Sequence, residues 1–366
     1  MSSAKRLHLL LAPKEKFGAG GAGAFALNAL ETTLASRWRH GITVFGTPVA
    51  NPFPSVSFQP IAIPRWPLRG RNIEMVRCYV TEIRRAPPNL IEVFNRPVMM
   101  DHLRRKLPDT ALILHYGNDP RGMDGSRSIA ERRRLLARCD AIVCVSDFIR
   151  RCLLDGVDDP LAERVKVIHT GVHAPAAFPE GKKKTIVFVG RLVPEKGALE
   201  LVQALVRVLP RHPDWTADII GARWFKAGDA PDSYEREVAH AAAECRNIRL
   251  GGFRPHEEVI AALQKASIAV VPSKWDDPFP RSALEALATG CALICSKQGG
   301  LPEMGADRAY FLSDVTADSI EAALANLLSD DSERIALQHR GFDDFPFEIH
   351  RTTARLDDLR QALITP

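Results

Sequence analysis

The sequence lacks any apolar run approaching the roughly 18 residues that a membrane-spanning helix needs. Lys5 and Arg6 precede the first apolar stretch, Leu7 to Ala12, which is too short for the core of an export signal, so a cytoplasmic protein is expected. The seven cysteines, Cys78, Cys139, Cys144, Cys152, Cys245, Cys291 and Cys295, include no CxxC pair. Several lie in apolar runs such as AIVCVS (141–146), which points to buried, reduced thiols rather than disulfides or metal ligands. No DxD motif lies between strands and no His/Cys cluster has ligand spacing, so no metal and no cofactor are expected. Long polar or low-complexity tracts are missing too, which excludes global disorder.

What is present is enough chain for two domains: 366 residues, 46% of them apolar. The net charge of +5 hides an asymmetry. Residues 1–184 hold 29 Lys/Arg against 17 Asp/Glu (+12), and the remainder holds 20 against 27 (−7). A basic first half suits an anionic partner, such as a membrane surface or a phosphorylated lipid, or else is an ordinary Arg-rich solvated surface. Tryptophan and arginine mix at Arg37-Trp38-Arg39-His40 and again from Arg65-Trp66 to Arg69 and Arg71, a mixture that fits a lipid headgroup interface, base stacking, or ordinary packing of a tryptophan beneath arginine stems.

Short apolar runs alternate with helical patterns through the first half. Strands are expected at Leu7–Ala12, Ile42–Phe45, Ala111–His115 and Ala141–Ser146, and a helix near Phe25–Arg37. GVHAPAAFPEGKKK (171–184) breaks the pattern, and its lysines are read as linker charge. A second series follows, with strands at Thr185–Val189, Ala217–Gly221, Ile248–Leu250, Ala269–Val271 and Ala292–Cys295. Helices are expected over Leu199–Leu209, Glu257–Lys265 and Arg281–Thr289. The expected fold is α/β, with two doubly wound parallel-sheet domains facing across a cleft. The expected boundaries are 1–172 for a first domain, 173–184 for a linker, 185–345 for a second domain, and 346–366 for a terminal segment containing a helix.

Three motifs carry chemistry. In VGRLVPEKG (189–197), Arg191 and Lys196 project from a loop at a strand's carboxyl end, where two fixed cations can neutralise a diphosphate. In the segment 272–303, PSKWDDPFPRSALEALATGCALICSKQGGLPE, Asp277 and Glu285 stand eight residues apart, before and inside a helix whose N-terminal amides suit an anion or sugar hydroxyls. The cluster Gly18-Ala19-Gly20-Gly21-Ala22-Gly23 follows a strand and precedes a helix, the context of a dinucleotide fingerprint. An NAD-dependent enzyme is therefore one alternative. It requires an acid about 20 residues on, and the second strand ends Phe45-Gly46-Thr47-Pro48 without one. A non-catalytic protein binding anionic lipid or nucleic acid is another alternative, although no nucleic-acid partner is expected.

The first two motifs resemble glycosyltransferase family 4, the retaining, group 1 enzymes of GT-B fold. The resemblance covers most of 185–345 and fades over 1–170; it implies that 1–172 binds the acceptor, that 185–345 binds the nucleotide sugar and that the helix within 346–366 crosses back to the first domain. It implies a metal-independent, retaining transfer of a sugar from a nucleoside diphosphate to a saccharide or lipid-linked acceptor, as in bacterial polysaccharide or lipopolysaccharide synthesis, with the nucleotide sugar as co-substrate. It implies that Arg191 and Lys196 hold the diphosphate, that Glu285 binds the ribose and that Asp277 contacts the transferred sugar. Asp277 stands where the family usually has glutamate, and in the following Phe279, Pro280 and Arg281 the proline removes a backbone donor. Gly299, Gly300 and Leu301 would approach the phosphate or sugar through their backbone. The stretch LGGFRPHEEV (250–259), with Phe253 and Arg254, is similar to that beside the nucleotide base. Gly20 and Gly21 would bring amides to the donor phosphate or acceptor, and His115 resembles the histidine that faces the reacting sugar.

Overall fold

The computed structural model describes residues 5–18, 21–67, 69–223 and 230–364. The chain divides into two compact units, Met1–Gly171 with Ile349–Pro366, and Val172–Glu348.

The first unit runs β1 (Leu7–Leu10), α1 (Ala24–Ala35), β2 (Ile42–Gly46), β3 (Phe58–Pro60), α2 (Arg71–Glu82), β4 (Leu90–Phe94), α3 (Met100–Lys106), β5 (Ala111–Tyr116), α4 (Ile129–Arg138), β6 (Ala141–Cys144), α5 (Asp147–Leu154) and β7 (Val165–Val167). Among the described residues its sheet has the order β3-β2-β1-β4-β5-β6-β7, and every pairing is parallel. The order reverses between β1 and β4, so the loops leaving these two strands diverge to opposite faces and open a crevice at their carboxyl ends. Side chains alternate between two apolar layers. On β1, Leu10 joins the layer under α2 to α5, while Leu7 and Leu9 join the opposite layer, with Ala26 and Ala29 of α1.

The segment Leu90–Phe94 (LIEVF), a strand not anticipated from the sequence, is a central one and is buried throughout. Ile91 and Val93 enter the first layer, while Leu90 and Phe94 enter the second. Strand alternation therefore aims Glu92 into the second layer. That layer is closed by the last helix of the chain, Ile349–Ile364, whose Leu356 and Ile364 pack there.

The second unit runs β8 (Lys183–Val189), α6 (Ala198–Val208), β9 (Thr216–Ile220), α7 (Ser233–Ala242), β10 (Ile248–Gly252), α8 (His256–Lys265), β11 (Ala266–Val271), α9 (Arg281–Ala288), β12 (Ala292–Cys295), α10 (Leu301–Gly305), β13 (Ala309–Phe311), α11 (Ala317–Ser329) and α12 (Asp331–Asp343). The terminal helix named above is α13. The sheet order among the described residues is β10-β9-β8-β11-β12-β13, again all parallel. Helix α6 shows why the segment folds as it does. Its buried positions, Leu201, Val202, Leu205 and Val208, recur at helical spacing and meet Ile186, Phe188 and Ile219 of the sheet. Each such leucine contributes about 1.5–3 kcal/mol by leaving water.

The lysine run corrects one expectation. Lys183 and Lys184 already belong to β8, and Lys182 is more than linker charge. Its Nζ donates to the carbonyls of Leu263 (3.2 Å), Ala266 (2.9 Å) and Thr289 (2.6 Å), fastening the ends of α8 and α9, and burial pushes its pKa down. None of the seven cysteines is in a disulfide, and all but Cys78 are buried. Among the described residues no helix is long and apolar enough to cross a membrane.

Candidate functional site

In the second unit the strand order reverses between β8 and β11, and the loops leaving β8, β11 and β12 carry most of the residues singled out in the sequence. After β8 the chain makes a short turn, Pro194–Lys196, and reaches Gly197 at φ 68° and ψ 23°. A side chain there would be strained, and its Cβ would collide with the carbonyl oxygen of Pro272 on the β11 loop. Glycine thus lets the two loops touch, and Lys274 N donates to Glu195 O at 2.8 Å across them.

This contact sets Lys196 against Asp277. Lys196 Nζ pairs with Asp277 Oδ2 and lies 5.5 Å from the Trp275 ring centre, a cation–π contact. Their side chains are 18% and 7% exposed, so the pair is largely withdrawn from water. Ser273 Oγ adds a longer hydrogen bond to Asp277 Oδ2, at 3.4 Å. The Asp277 carbonyl accepts from Gly300 N at 2.8 Å. Gly299, at φ 61°, leaves room for that carbonyl where a Cβ would strike it, and its own N–H donates to Asp276 Oδ1 at 3.3 Å. Lys196, Asp277, Gly299 and Gly300, distant in sequence, are thereby brought together. Arg191, half-buried at the end of β8, makes no ion pair or side-chain hydrogen bond among the described residues.

Glu285 is buried on α9. Arg281 Nε donates to its Oε1 at 2.6 Å, and His256 Nε2 lies 2.7 Å from the same oxygen. Burial pushes the carboxyl up, but the hydrogen bond from His256 and the charge of Arg281 outweigh it, so its pKa ends below the usual value. Oε1 is therefore already engaged, and Oε2 is the oxygen left to a ligand. His256 opens α8, directly after the Phe253–Arg254 stretch, and ties that stretch to Glu285. Arg254 itself is exposed and pairs with Glu258 at 2.9 Å.

Phe279 and Leu301 are placed differently from what a ligand-lining side chain requires. Phe279 is buried edge-on against Phe347 at 5.3 Å, and Leu301 is buried in the core, so each has only backbone to offer. Pro280 is the N-cap of α9, and its carbonyl accepts from Ala283 N at 3.1 Å.

In the first unit, His115 lies one residue before the end of β5, with its ring stacked on Phe94 at 4.5 Å and 9°. Its Nε2 lies 2.7 Å from Glu92 Oε2, and Glu92 Oε1 accepts from Arg360 Nε of α13 at 2.6 Å. Burial pushes the Glu92 carboxyl up, but the Arg360 charge and the His115 hydrogen bond more than reverse this, leaving its pKa at about 2. An ionised carboxylate can only accept, so His115 carries its proton on Nε2. Gly21 lies in the turn before α1, and Gly20 falls outside the described residues.

Two family sequence models match the chain: "Glycosyltransferase Family 4" over residues 19–174 and "Glycosyl transferases group 1" over residues 173–343. Together they span both units. The chain belongs to the group 1 glycosyltransferases, family 4.

The relatives of this group 1 glycosyltransferase include a putative glycosyltransferase, YtcC, of Bacillus subtilis, 29% identical over 243 residues. The match covers 61% of this chain and 59% of that protein, so the chain spans about three-fifths of the length of this curated relative. Sucrose-phosphate synthase from Thermosynechococcus elongatus superposes with a TM-score of 0.76 at 16% identity, covering 98% of this chain and 99% of that one. Anabaena HepE, solved in complex with UDP, does so with a TM-score of 0.76 at 15% identity, covering 98% and 100%. At such identities the likeness is one of fold, and the fold is GT-B.

Three residues that make these contacts had not been singled out in the sequence. Glu92 shows there only as a lone acid in an apolar pentapeptide. Arg360 shows as a cation on the apolar face of α13, four residues beyond Leu356. His256 lies inside the recognised LGGFRPHEEV stretch, and only the fold brings it to Glu285.

Proposed function

We propose that this chain is a retaining glycosyltransferase that moves a sugar from a nucleoside diphosphate to a saccharide or lipid-linked acceptor without a metal ion. The observation that supports this reading best is the pairing of Lys196 with Asp277 at the switch point of the second sheet, beside an Arg191 that has no partner among the described residues. Ligands of such sheets bind at that crevice, and a diphosphate there meets two cations.

The roles follow from the chemistry of each group. Arg191 grips the diphosphate through its fork, and Lys196 shares its charge between Asp277 and the phosphate. As the glycosidic bond breaks, negative charge grows on the departing phosphate oxygen, and both cations stabilise it more in the transition state than in the ground state. They supply the positive charge that a divalent ion would otherwise bring, which supports metal independence. Asp277 accepts hydrogen bonds from hydroxyls of the transferred sugar. Glu285 Oε2 accepts from the ribose, while Arg281 and His256 hold the carboxylate ionised and oriented. His115, fixed as its Nε2–H tautomer, has Nδ1 as its remaining nitrogen.

The acceptor is a saccharide or lipid-linked precursor of a bacterial polysaccharide or lipopolysaccharide. A peripheral contact with an anionic membrane is part of this reading, and Trp66, 82% exposed with Arg65 beside its ring, is the side chain most suited to it. In the other Trp/Arg cluster Arg37 is engaged within the protein, in an exposed ion pair with Asp358 of α13.

Thermal-shift titration against UDP, GDP, ADP, their sugar conjugates and NAD is the first test, with Glu285→Ala alongside. Stabilisation by one nucleoside diphosphate, reduced in the variant, is expected. Stabilisation by NAD alone would overturn the reading. With the donor known, the anomeric proton coupling of the product tests retention, and activity in excess EDTA tests metal independence.

A further inference from the structure

The second motif-rich loop system of the chain lies in the first unit, at the reversal between β1 and β4. A cavity of about 290 Å³ opens there. It is lined by Lys14 from the loop after β1, by Asn95 and Arg96 directly after β4, and by Arg71 and Asn72 in the first turn of α2. This is where a doubly wound sheet binds its ligand.

Its lining is cationic, with Lys14, Arg71 and Arg96 against Asp124. Lys14 and Arg71 make no ion pair or side-chain hydrogen bond among the described residues. Arg96 is half-buried, and its Nη1 is aimed by a 2.6 Å hydrogen bond to the Asn95 carbonyl. The one acid lining the cavity, Asp124, is already paired with Arg127 at 2.7 Å. Glu15, which acts on Arg96 through its charge, faces Gly23 and does not line the cavity. The wall is also built to hold its shape. Asn95 adopts φ 56°, a conformation uncommon outside glycine, and is buried. Its N–H donates to the His115 carbonyl at 2.8 Å, and its Oδ1 accepts from Gly117 N at 3.2 Å.

We propose that this cavity, through Lys14, Arg71 and Arg96, binds the phosphate group of a phosphorylated acceptor. The inference deepens the glycosyltransferase reading and rests on it for the word acceptor. A phosphomonoester carries a charge of about −1.5 to −2 at neutral pH and three acceptor oxygens. Two guanidinium forks and an ammonium match that charge and geometry better than they match a single carboxylate. The volume suits a phosphate with a small polyol or sugar and is too small for a whole nucleotide sugar.

The test uses the full chain at low salt, with UDP at saturation so that the donor site is filled. Inorganic phosphate, glycerol 3-phosphate and phosphatidic acid vesicles are titrated into the wild type and into a Lys14→Ala/Arg71→Ala double variant. Both residues are exposed, and the variant's circular dichroism and UDP affinity report that it folds. Binding of phosphate and glycerol 3-phosphate weakened at least about tenfold in the double variant, with UDP affinity kept, is the expected result. Vesicle binding lost in the variant, with no binding of glycerol 3-phosphate, supports the site and assigns the phosphate to a lipid headgroup. Absence of binding by phosphate up to about 10 mM and by the vesicles alike, equal binding by both proteins, or displacement of phosphate by UDP would each overturn the proposal. Should UDP fail to bind while phosphate binds through Lys14 and Arg71, the anion site stands and the glycosyltransferase reading falls.

Discussion

Arg360 Nε sits 2.6 Å from Glu92 Oε1, joining the last helix of the chain to a central strand with both side chains fully buried. Arg360 Nη1 also donates to Asp357 Oδ1 at 2.9 Å, and that oxygen accepts from Ser36 Oγ at 2.7 Å. Charges withdrawn from water this completely are tolerable only when paired. Arg360→Ala leaves Glu92 without its main counter-charge and is expected to cost about 3–5 kcal/mol, read as a lowered urea midpoint. An Arg360→Met/Glu92→Leu/Asp357→Leu triple variant should recover much of that loss, because it removes the buried charges together. Equal instability of the single and triple variants would mean that packing, rather than charge, holds α13 in place.

Lys196→Ala is expected to lower kcat by about 10²–10³ with a smaller change in donor KM, because its charge matters most as the phosphate leaves. The substitution also strands Asp277, so a modest loss of stability should accompany it. A raised KM at unchanged kcat would remove Lys196 from the leaving-group role.

Glu285→Ala removes the carboxylate proposed to accept from the ribose, and also takes from Arg281 and His256 the oxygen they share. Donor affinity should fall by about 10–100-fold, the order expected for charge-assisted hydrogen bonds. His256→Ala, which keeps the carboxylate but loosens its hold, should give a smaller loss. If His256→Ala equals wild type in donor affinity, that contact has no positioning role.

His8 makes stability depend on pH. Burial, helped by the charge of Arg6, lowers its pKa to about 4, and its Nδ1 lies 2.8 Å from Tyr79 Oη. The unfolded chain therefore binds a proton near pH 6.5 that the folded chain refuses until about pH 4. Stability should fall by about 3 kcal/mol as pH drops through that window and then level off as far as this residue is concerned. His8→Gln, which keeps an acceptor for Tyr79 but does not titrate, should flatten the slope between pH 6.5 and 4. An unchanged slope would assign the acid sensitivity to other groups.

Gly197→Ala combines a left-handed backbone with a collision against Pro272 O. A loss of about 1–3 kcal/mol, read by thermal unfolding, is expected together with weaker nucleotide binding, since the loop holding Lys196 must shift. Full stability would show that the β8 and β11 loops can part at little cost.

The fold was legible where periodicity is strong. The runs TIVFV and ASIAVV are β-branched and apolar and form the two strands flanking the switch point of the second unit. LIEVF was missed because a central glutamate breaks the apolar run that marks a buried strand, and its counter-charge lies 268 residues away on α13. Within the site, the spacing of Arg191 and Lys196 and of Asp277 and Glu285 was visible in one dimension. That the Phe279 side chain turns inward was not, since an apolar residue in a loop has the same letter whether it lines a ligand or fills the core.

The sequence by itself determined the local decisions. These are which segments are strands and helices, where glycine allows a left-handed turn, and which loops carry charge, because each depends on side chains a few residues apart. Only the tertiary structure decided which charges meet. Lys196 with Asp277, Glu285 with His256, and Glu92 with Arg360 are pairs made by strand order and helix return. The energy of such a pair depends on distance and on exclusion of water, neither of which a spacing along the chain contains.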